Sequence, residues 1–258
     1  MSSLALPLRV FEYWLMQYRR VWRGTAITSI VNPVFYLGAL GVGLGTLVNK
    51  SAGDSLGVSY IDFVAPGMLA ATAMTIASAE ASWPVVGSIK WTRQYFAMLA
   101  TPIGTRDVVL GHQLWMTARV ASSSAVYLAV IAAFGGVNSP LGILALPAAV
   151  LLGAAFTTPF AAYAATVESD VAFVPVNRFL VVPMFLFSGT FFPVDRLPLP
   201  LEWLAYATPL WHGVELCRMF TLGDVHALRA LGHAGYLLLF LVIGLAWAQR
   251  TYAERLLK

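Results

Sequence analysis

Residues 120–167 read VASSSAVYLAVIAAFGGVNSPLGILALPAAVLLGAAFTTPFAAYAATV and contain no Asp, Glu, Lys or Arg. About 20 apolar residues in a helix cross the hydrocarbon core of a bilayer, so this stretch is too long for a single crossing. Near its middle, the turn-forming residues Gly135-Gly136-Val137-Asn138-Ser139-Pro140 divide it. The stretch therefore predicts two transmembrane helices, residues 108–134 and 141–167, that run in opposite directions.

The composition of the whole chain supports this interpretation. Of its 258 residues, 59% are hydrophobic and 11% are charged, and the mean hydropathy is +0.75. Soluble domains carry about 25% charged residues. Spanning segments must be helices or strands of a closed barrel, and continuously apolar runs favour helices. We expect an all-α integral membrane protein with a single domain, 1–258, and six spans at residues 26–48, 63–89, 108–134, 141–167, 171–190 and 230–249.

The N-terminal segment, residues 1–24, predicts an amphipathic helix at the membrane interface. Its apolar face carries Leu8, Phe11, Leu15, Tyr18 and Trp22, and its opposite face carries Arg9, Glu12, Arg19, Arg20 and Arg23. Because these charges interrupt the apolar segment, it lacks the pattern of a secretory signal peptide. We expect it to remain in the mature protein.

The distribution of Lys and Arg predicts the orientation. An even number of spans places both termini on the same side, and positive charge concentrates on the cytoplasmic side of membrane proteins. With the termini inside, the cytoplasmic cations are Arg9, Arg19, Arg20, Arg23, Lys90, Arg93, Arg106, Arg250, Arg255 and Lys258. The outer cations are then Lys50, Arg196, Arg218 and Arg229. We therefore expect both termini in the cytoplasm.

The connection between the second and third spans, residues 90–104, predicts a short amphipathic cytoplasmic helix that ends at Thr101-Pro102-Ile103-Gly104. One face carries Trp91, Tyr95, Met98 and Leu99, and the other carries Lys90, Arg93, Gln94, Ala97 and Thr101. Periodicity alone leaves two alternatives open. The helix either links two spans at the interface or presents its polar face to a soluble partner.

The outer segment, residues 191–229, is too apolar and aromatic for an ordinary solvated loop. Its prolines and charged residues make it a poor seventh span, since a charge in the middle of a membrane costs several kcal/mol. The residues that would enter the hydrocarbon are Glu202, Pro209, His212, Glu215 and Arg218. It predicts short helices that dip into the outer leaflet. Its aromatic candidate residues in this re-entrant segment are Phe191, Phe192, Trp203, Tyr206 and Trp211.

Two charges, Glu80 and Arg119, fall inside predicted spans at similar depths, given a rise of 1.5 Å per residue. They are candidates for an intramembrane ion pair that locks two helices together. The other alternative is that they line the path of a transported molecule.

Several kinds of chemistry lack their motifs in the sequence. There is no Gly-Lys-Ser/Thr motif, so the chain has no phosphate-binding loop of a nucleotide hydrolase. Cys217 is the single cysteine, and the four histidines have no metal-ligand spacing, so we expect no catalytic residues and no metal site. The basic clusters flank apolar runs, which fits anionic membrane lipids better than nucleic acid.

Four strings carry a resemblance to a known family: FVAPGM at 63–68, YFAMLATP at 95–102, FLFSGTFFP at 185–193 and TPLWHG at 208–213. They resemble the ABC-2 type permeases, in particular the subgroup that exports nodulation factors, which are lipo-oligosaccharides. They are also similar to daunorubicin-type drug export permeases. The resemblance extends over nearly the whole chain, and the strings occur in the expected order.

The resemblance implies a permease subunit that forms a homodimer, or a heterodimer, and binds two copies of an ABC ATPase. The partner would bind ATP and Mg²⁺, and this chain would hold no cofactor. Residues 90–104 would be the coupling helix, with Lys90, Arg93, Gln94, Ala97, Thr101 and Arg106 as candidate ATPase contacts. The cargo would be an amphipathic or hydrophobic drug, lipid or lipo-oligosaccharide.

Two other function classes remain as alternatives. An intramembrane lipid-modifying enzyme would need catalytic groups that converge at one depth, and Glu80 and Arg119 are the nearest approach to this. A carrier that works without an ATPase favours an internal repeat, which the two halves of the sequence do not show.

Overall fold

The computed structural model describes residues 5–51 and 57–257. Within these ranges, six helices are long and apolar enough to cross a membrane, which confirms the predicted number of spans. Spans 1 to 6 are Trp22–Val48, Tyr60–Lys90, Thr105–Ala133, Pro140–Thr166, Asp170–Phe187 and Ala227–Leu256. Residues 1–4 of the predicted interface helix, residues 52–56 and the terminal Lys258 lie outside the described residues, as does the Lys50 side chain.

Span 4 lies at the centre of the bundle and packs against spans 2, 3 and 6. Small side chains allow these helices to approach closely, as is common inside membranes. A Cβ atom on Gly244 of span 6 would collide with Thr158 and with the backbone nitrogen of Pro159 in span 4. Glycine at this position therefore fixes the closest approach of spans 4 and 6.

The N-terminal helix, Ala5–Tyr18, packs along the first half of span 3 and buries Pro7, Val10 and Trp14. A Cβ atom on Gly111 of span 3 would collide with the Pro7 carbonyl oxygen and with Val10. The absent side chain of Gly111 therefore provides the space that this helix occupies. The buried stripe is rotated from the predicted apolar face, since Leu8 is exposed.

Spans 1 and 5 lie at the edge of the bundle, and most of their apolar side chains are exposed. Both contain π-helical turns. Span 1 is α-helical over Trp22–Tyr36, π-helical over Leu37–Leu44 and α-helical again over Gly45–Ser51. In span 5, a short 3₁₀ turn precedes α-helix Phe173–Val176, π-turn Asn177–Val181 and α-helix Val182–Phe187.

Three short helices form the segment between spans 5 and 6: the 3₁₀ turn Val194–Arg196, the helix Leu199–Tyr206 and the helix Pro209–Leu222. Thr208 caps the last of these by accepting a hydrogen bond from the Trp211 backbone N–H. The helix Pro209–Leu222 packs on spans 2, 4 and 6. Near its N-terminus, the Tyr236 hydroxyl of span 6 donates a 2.6 Å hydrogen bond to the Ala207 carbonyl.

The bundle has two distinct ends. The N-terminal helix, the connection between spans 2 and 3, and the last turns of span 6 meet at one end, which we call the terminal side. Tyr95 of that connection lies against Tyr252 of span 6, with ring centroids 5.6 Å apart. The segment between spans 5 and 6 lies at the opposite end, the distal side.

Candidate functional site

The connection between spans 2 and 3 contains one helix, Gln94–Leu99, which is shorter than the predicted segment 90–104. Span 2 continues through Lys90, and residues 91–93 form a break before the helix begins. Arg93 closes this break with φ 51° and ψ 24°, and it is the single non-glycine residue with positive φ in the described ranges. This left-handed conformation is unfavourable for an L-residue, and such residues concentrate at functional sites.

The connecting helix is attached to the bundle by its buried face. The Tyr95 hydroxyl and His112 Nδ1 of span 3 share a 2.6 Å hydrogen bond, and Trp14 stacks on the His112 ring at 4.1 Å. The Tyr13 hydroxyl donates a 2.7 Å hydrogen bond to Gln94 Oε1, and Gln94 Nε2 donates to Ser88. These contacts therefore connect the helix directly to span 3 and to the N-terminal helix.

The exposed face of the connecting helix borders a cleft of about 590 Å³ on the terminal side. Its charged and apolar walls come from spans 2 and 6 and from the connection between spans 2 and 3: Ile89, Lys90, Arg93, Phe96, Glu254 and Arg255. Among the predicted contact residues, Arg93, Ala97, Thr101 and Arg106 are exposed, whereas Gln94 is half-buried.

Glu168 joins three parts of the terminal side. Arg255 Nη1 donates a 2.5 Å hydrogen bond to Glu168 Oε1, and Lys90 Nζ forms an ion pair with Oε2. The hydrogen bonds from Arg255 and then Lys90 hold the pKa of the Glu168 carboxyl well below its ordinary value, at about 2. The connection between spans 4 and 5 is thereby tied to the ends of spans 2 and 6.

The structure brings Glu80 of span 2 and Arg119 of span 3 together. Arg119 Nε donates a 3.1 Å hydrogen bond to Glu80 Oε1. The Arg119 side chain is 8% exposed and the Glu80 side chain is 22% exposed. Arg119 Nη1 also donates to the Tyr18 hydroxyl at 3.0 Å, and its guanidinium carbon lies 4.3 Å from the centre of the Tyr18 ring. This pair links spans 2 and 3 to the N-terminal helix.

Two polar cavities adjoin the ion pair, and Thr25 and Arg119 line both of them. The first, of about 400 Å³, extends toward the connecting helix and reaches Thr92 and Gln94. The second, of about 210 Å³, lies deeper between spans 1, 2, 3 and 5. Its hydroxyl and amide groups belong to Thr25, Thr28, Ser29, Asn32, Tyr36, Thr72, Thr75, Ser123 and Tyr127. The ion pair therefore stands where the two cavities meet.

The predicted outer residues divide into separate contacts on the distal side. Tyr206 and Trp211 lie against each other, with ring centroids 4.7 Å apart, and Phe191 packs against Phe185 at 5.2 Å. Phe192 is partly exposed, and Trp203 is 71% exposed.

Arg218 makes a contact on the distal side that sequence reasoning did not assign. It donates a 2.7 Å hydrogen bond to the Gly189 carbonyl and a 3.3 Å hydrogen bond to that of Phe63, and it pairs with Glu215 at 2.6 Å. It thus ties the helix Pro209–Leu222 to the beginning of span 2.

Sequence reasoning also missed Tyr13, Tyr18, Tyr95, His112 and Glu168 as parts of the site. A helical wheel marks these aromatic residues only as apolar. The available signal was that each carries a polar atom that needs a hydrogen-bond partner once it is buried. Glu168 had a signal too, since it lies between two spans on the same side as Lys90 and Arg255.

Comparison with known proteins agrees with this architecture. Residues 10–221 match the family described as ABC-2 type transporter. The chain is 33% identical over 253 residues to Nodulation protein J of Rhizobium leguminosarum bv. viciae, covering 95% of each chain. It is 32% identical over 228 residues to Nodulation protein J of Rhizobium meliloti (strain 1021), covering 85% of each.

A more distant relative is the inner membrane transport permease YadH of Escherichia coli (strain K12), at 22% identity over 229 residues, 88% of this chain and 86% of the relative. Three observations support the same family assignment. They are the six apolar helices, the family match over most of the chain and the relatives of equal length. The chain therefore belongs to the ABC-2 type transporter family, as a multi-pass membrane permease.

Proposed function

We propose that this permease is the transmembrane subunit of an ATP-driven exporter that moves an amphipathic or hydrophobic molecule outward from the cytoplasm or the inner leaflet. The terminal side would face the cytoplasm. The excess of Lys and Arg on that side supports this orientation, because cytoplasmic loops carry more positive charge. A drug, a lipid and a lipo-oligosaccharide all fit the proposed cargo class.

The observation that carries the proposal is the double attachment of the connecting helix. Its outer face borders a cleft lined by Lys90, Arg93 and Arg255, and its inner face binds Tyr13 and His112 through Gln94 and Tyr95. We assign this face as the docking surface of the ABC ATPase. Of the predicted contacts, Lys90, Arg93, Ala97, Thr101 and Arg106 would meet the partner, whereas Gln94 would transmit its movement.

The polar cavities support a role in transport. Hydroxyl and amide groups inside a membrane bundle are costly unless they face one another, water or a polar solute. Here they line a route that leads from the connecting helix past Glu80 and Arg119 toward the middle of the bundle. The ion pair would then control passage between the two cavities as well as hold the helices together.

A second copy of the permease would complete the transport path. Span 1 exposes Asn32 at the edge of the bundle, where lipid alone would leave its amide group unsatisfied. We infer a homodimer that carries two ATPase copies, each of which binds ATP and Mg²⁺. The distal helices would re-enter the outer leaflet, with Phe191, Phe192, Trp203, Tyr206 and Trp211 as the outer gate.

A test of the docking surface uses charge reversal on the two sides of the membrane. Arg93→Glu and Arg106→Glu would each reduce co-purification of the partner ATPase by about tenfold, since reversing a contact charge costs more than about 1.4 kcal/mol. Arg196→Glu, on the exposed distal side, is the matched control and would leave the complex intact. Equal recovery of the ATPase with all three variants would refute the docking surface.

Reconstitution tests the transport proposal itself. In vesicles that contain the permease and its ATPase, lipids, lipo-oligosaccharides and hydrophobic antibiotics would be screened for stimulated ATP hydrolysis and for movement across the bilayer. Transport by the permease without the ATPase would contradict an ATP-driven mechanism.

A further inference from the structure

An apolar cavity lies away from the polar route. It has a volume of about 450 Å³ and lies between spans 4, 5 and 6, with the turn between the two distal helices at one end. Its walls include Phe160 of span 4, Leu180 and Met184 of span 5, Phe240 and Trp247 of span 6, and Ala207 of the turn. We call this cavity the span 5 groove.

The two hydroxyl groups that border the groove already have partners. The Thr208 hydroxyl donates a 2.7 Å hydrogen bond to the Ala205 carbonyl, and the Tyr163 hydroxyl donates a 3.4 Å hydrogen bond to the Ala172 carbonyl. A buried water needs two to four polar partners, so water gains little in this groove. The groove therefore favours a hydrocarbon occupant.

The position of the groove identifies the source of that hydrocarbon. Its rim residues Leu180, Leu204 and Trp247 are exposed at the surface of the bundle, so the groove opens sideways. Leu180 and Trp247 belong to the middle and inner parts of spans 5 and 6, which hydrocarbon surrounds in a bilayer. The molecules at this opening are phospholipids, whose acyl chains lie parallel to the spans.

We propose that the span 5 groove binds one acyl chain of a membrane phospholipid. An apolar cavity of about 150 Å³ in another protein is large enough for benzene, and the span 5 groove has about three times that volume. It also extends along the spans, since Phe240 and Trp247 are separated by seven residues, or about 10 Å of helix. A single extended chain fits this shape better than a compact solute.

An acyl chain in the groove would support span 5. This span carries a π-helical turn at Asn177–Val181, next to the groove residue Val176, and its side chains Phe179 and Leu186 are exposed. With the chain in place, Leu180 and Met184 would contact hydrocarbon on the face turned toward span 4. The lipid would thus replace protein packing that span 5 lacks, whatever molecule the permease carries.

The first test measures the phospholipid that remains bound after extensive exchange into detergent, by mass spectrometry of the intact protein. We expect about one phospholipid per chain for the natural protein. Leu180→Phe combined with Ala207→Phe fills the groove and would reduce retention about tenfold, the effect of displacing about two methylenes of chain. Leu239→Phe, on the exposed surface of span 6 beside the groove, is the matched control and would retain the lipid.

Absence of retained phospholipid from the natural protein, or equal retention by the filled variant, would overturn the proposal. So would loss of the dimer upon filling without a change in lipid, which would identify a second permease copy as the occupant. A second measurement does not depend on whether the filled variant folds. Phospholipid with brominated acyl chains would be bound to the protein and retained through detergent exchange. Its bromine atoms would then quench the fluorescence of Trp247. That quenching would be absent from Trp247→Phe, and equal quenching of both proteins would also refute the groove.

Discussion

At the scale of single residues, Arg119 shows how this bundle holds a charge between apolar helices. Its guanidinium binds Glu80 and Tyr18 and lies over the Tyr18 ring, so that the charge is matched by an anion, a hydroxyl and an aromatic face. A helical rise of 1.5 Å per residue was enough to predict that Glu80 and Arg119 lie at similar depths. It could not predict Tyr18, because that contact depends on how the N-terminal helix packs on span 3.

Removing one partner of this pair leaves the other charge buried alone. Arg119→Met and Glu80→Leu are each expected to reduce the free energy of unfolding by about 3 kcal/mol. The measurement is thermal unfolding in detergent, with the fraction of protein that remains monodisperse as the readout. The charge-swapped double variant, Glu80→Arg with Arg119→Glu, should recover part of the loss, and failure to recover any of it would argue against mutual pairing.

Arg93 illustrates a residue whose role comes from its backbone. Its left-handed conformation was invisible in the sequence, because Arg does not favour positive φ. Arg93→Gly should be tolerated, whereas Arg93→Val should destabilise the protein by about 1 kcal/mol, since a β-branched residue fits poorly there. Thermal unfolding of the two variants separates this backbone effect from the loss of charge, which both variants share.

Glu168 gives a pH dependence whose sign follows from its low pKa. Because the folded-state pKa of about 2 lies below the ordinary value of 4.5, the ion pairs stabilise the protein fully above pH 4.5. This contribution is lost as the pH falls from 4.5 toward 2. Glu168→Gln should therefore unfold at a lower temperature than the natural protein at pH 7, with a difference that shrinks at pH 3.

Salt provides the control for that comparison. Glu168 is exposed, so ions in solution screen its contacts with Arg255 and Lys90. The difference between the two proteins at pH 7 should decrease at 1 M salt. A difference that is independent of both pH and salt would instead mean that the Glu168→Gln substitution disturbs packing.

At the scale of helices, the sequence predicted the spans well and their contacts less well. Continuous apolar runs and the turn at 135–140 were sufficient for the number of spans. Span 6 nevertheless continues past Gln249 to Leu256, because Tyr252 and Leu256 are buried within the bundle despite the charges beside them. Hydropathy predicts which part of a helix lies in lipid. It does not predict how far the helix continues beyond that part, because this depends on contacts with other helices.

The N-terminal helix supplies a test at this scale. Gly111→Ala would push a methyl group against the Pro7 carbonyl and Val10, so we expect it to lose about 2 kcal/mol of stability by overpacking. Gly235→Ala in span 6 is the matched control, since its added methyl group meets no atom within 4 Å. The control should gain stability, because Ala favours a helix more than Gly does. Thermal unfolding of both variants measures the difference, and similar behaviour would contradict the close contact.

At the scale of the whole molecule, charge distribution predicted an orientation, whereas the polar cavities required the structure. Their residues come from four spans, and no spacing within one span reveals that Asn32, Thr72 and Tyr127 share a space. The span 5 groove was equally hidden, because its aromatic and aliphatic residues read as ordinary lipid-facing or core positions. Sequence periodicity describes one helix at a time, and cavities form between helices.

The orientation can be tested with cysteines introduced one at a time. The natural Cys217 is fully buried, so a membrane-impermeant maleimide should not label it. Arg196→Cys on the distal side should be labelled in intact cells with permeable outer membranes. Arg250→Cys on the terminal side should be labelled only after the inner membrane is opened. The reverse pattern would place the termini outside.

The π-helical turns in spans 1 and 5 have a mechanical consequence. In such a turn the hydrogen bonds span one residue more than in an α-helix, so the extra residue can pass from one turn to the next without breaking the whole ladder. Each such step rotates the side chains of the turn that the extra residue crosses by about 100° and leaves the rest of the helix in place. Spans 1 and 5 can therefore exchange the side chains that one turn presents to its surroundings, by local torsion rather than by tilting of the whole span.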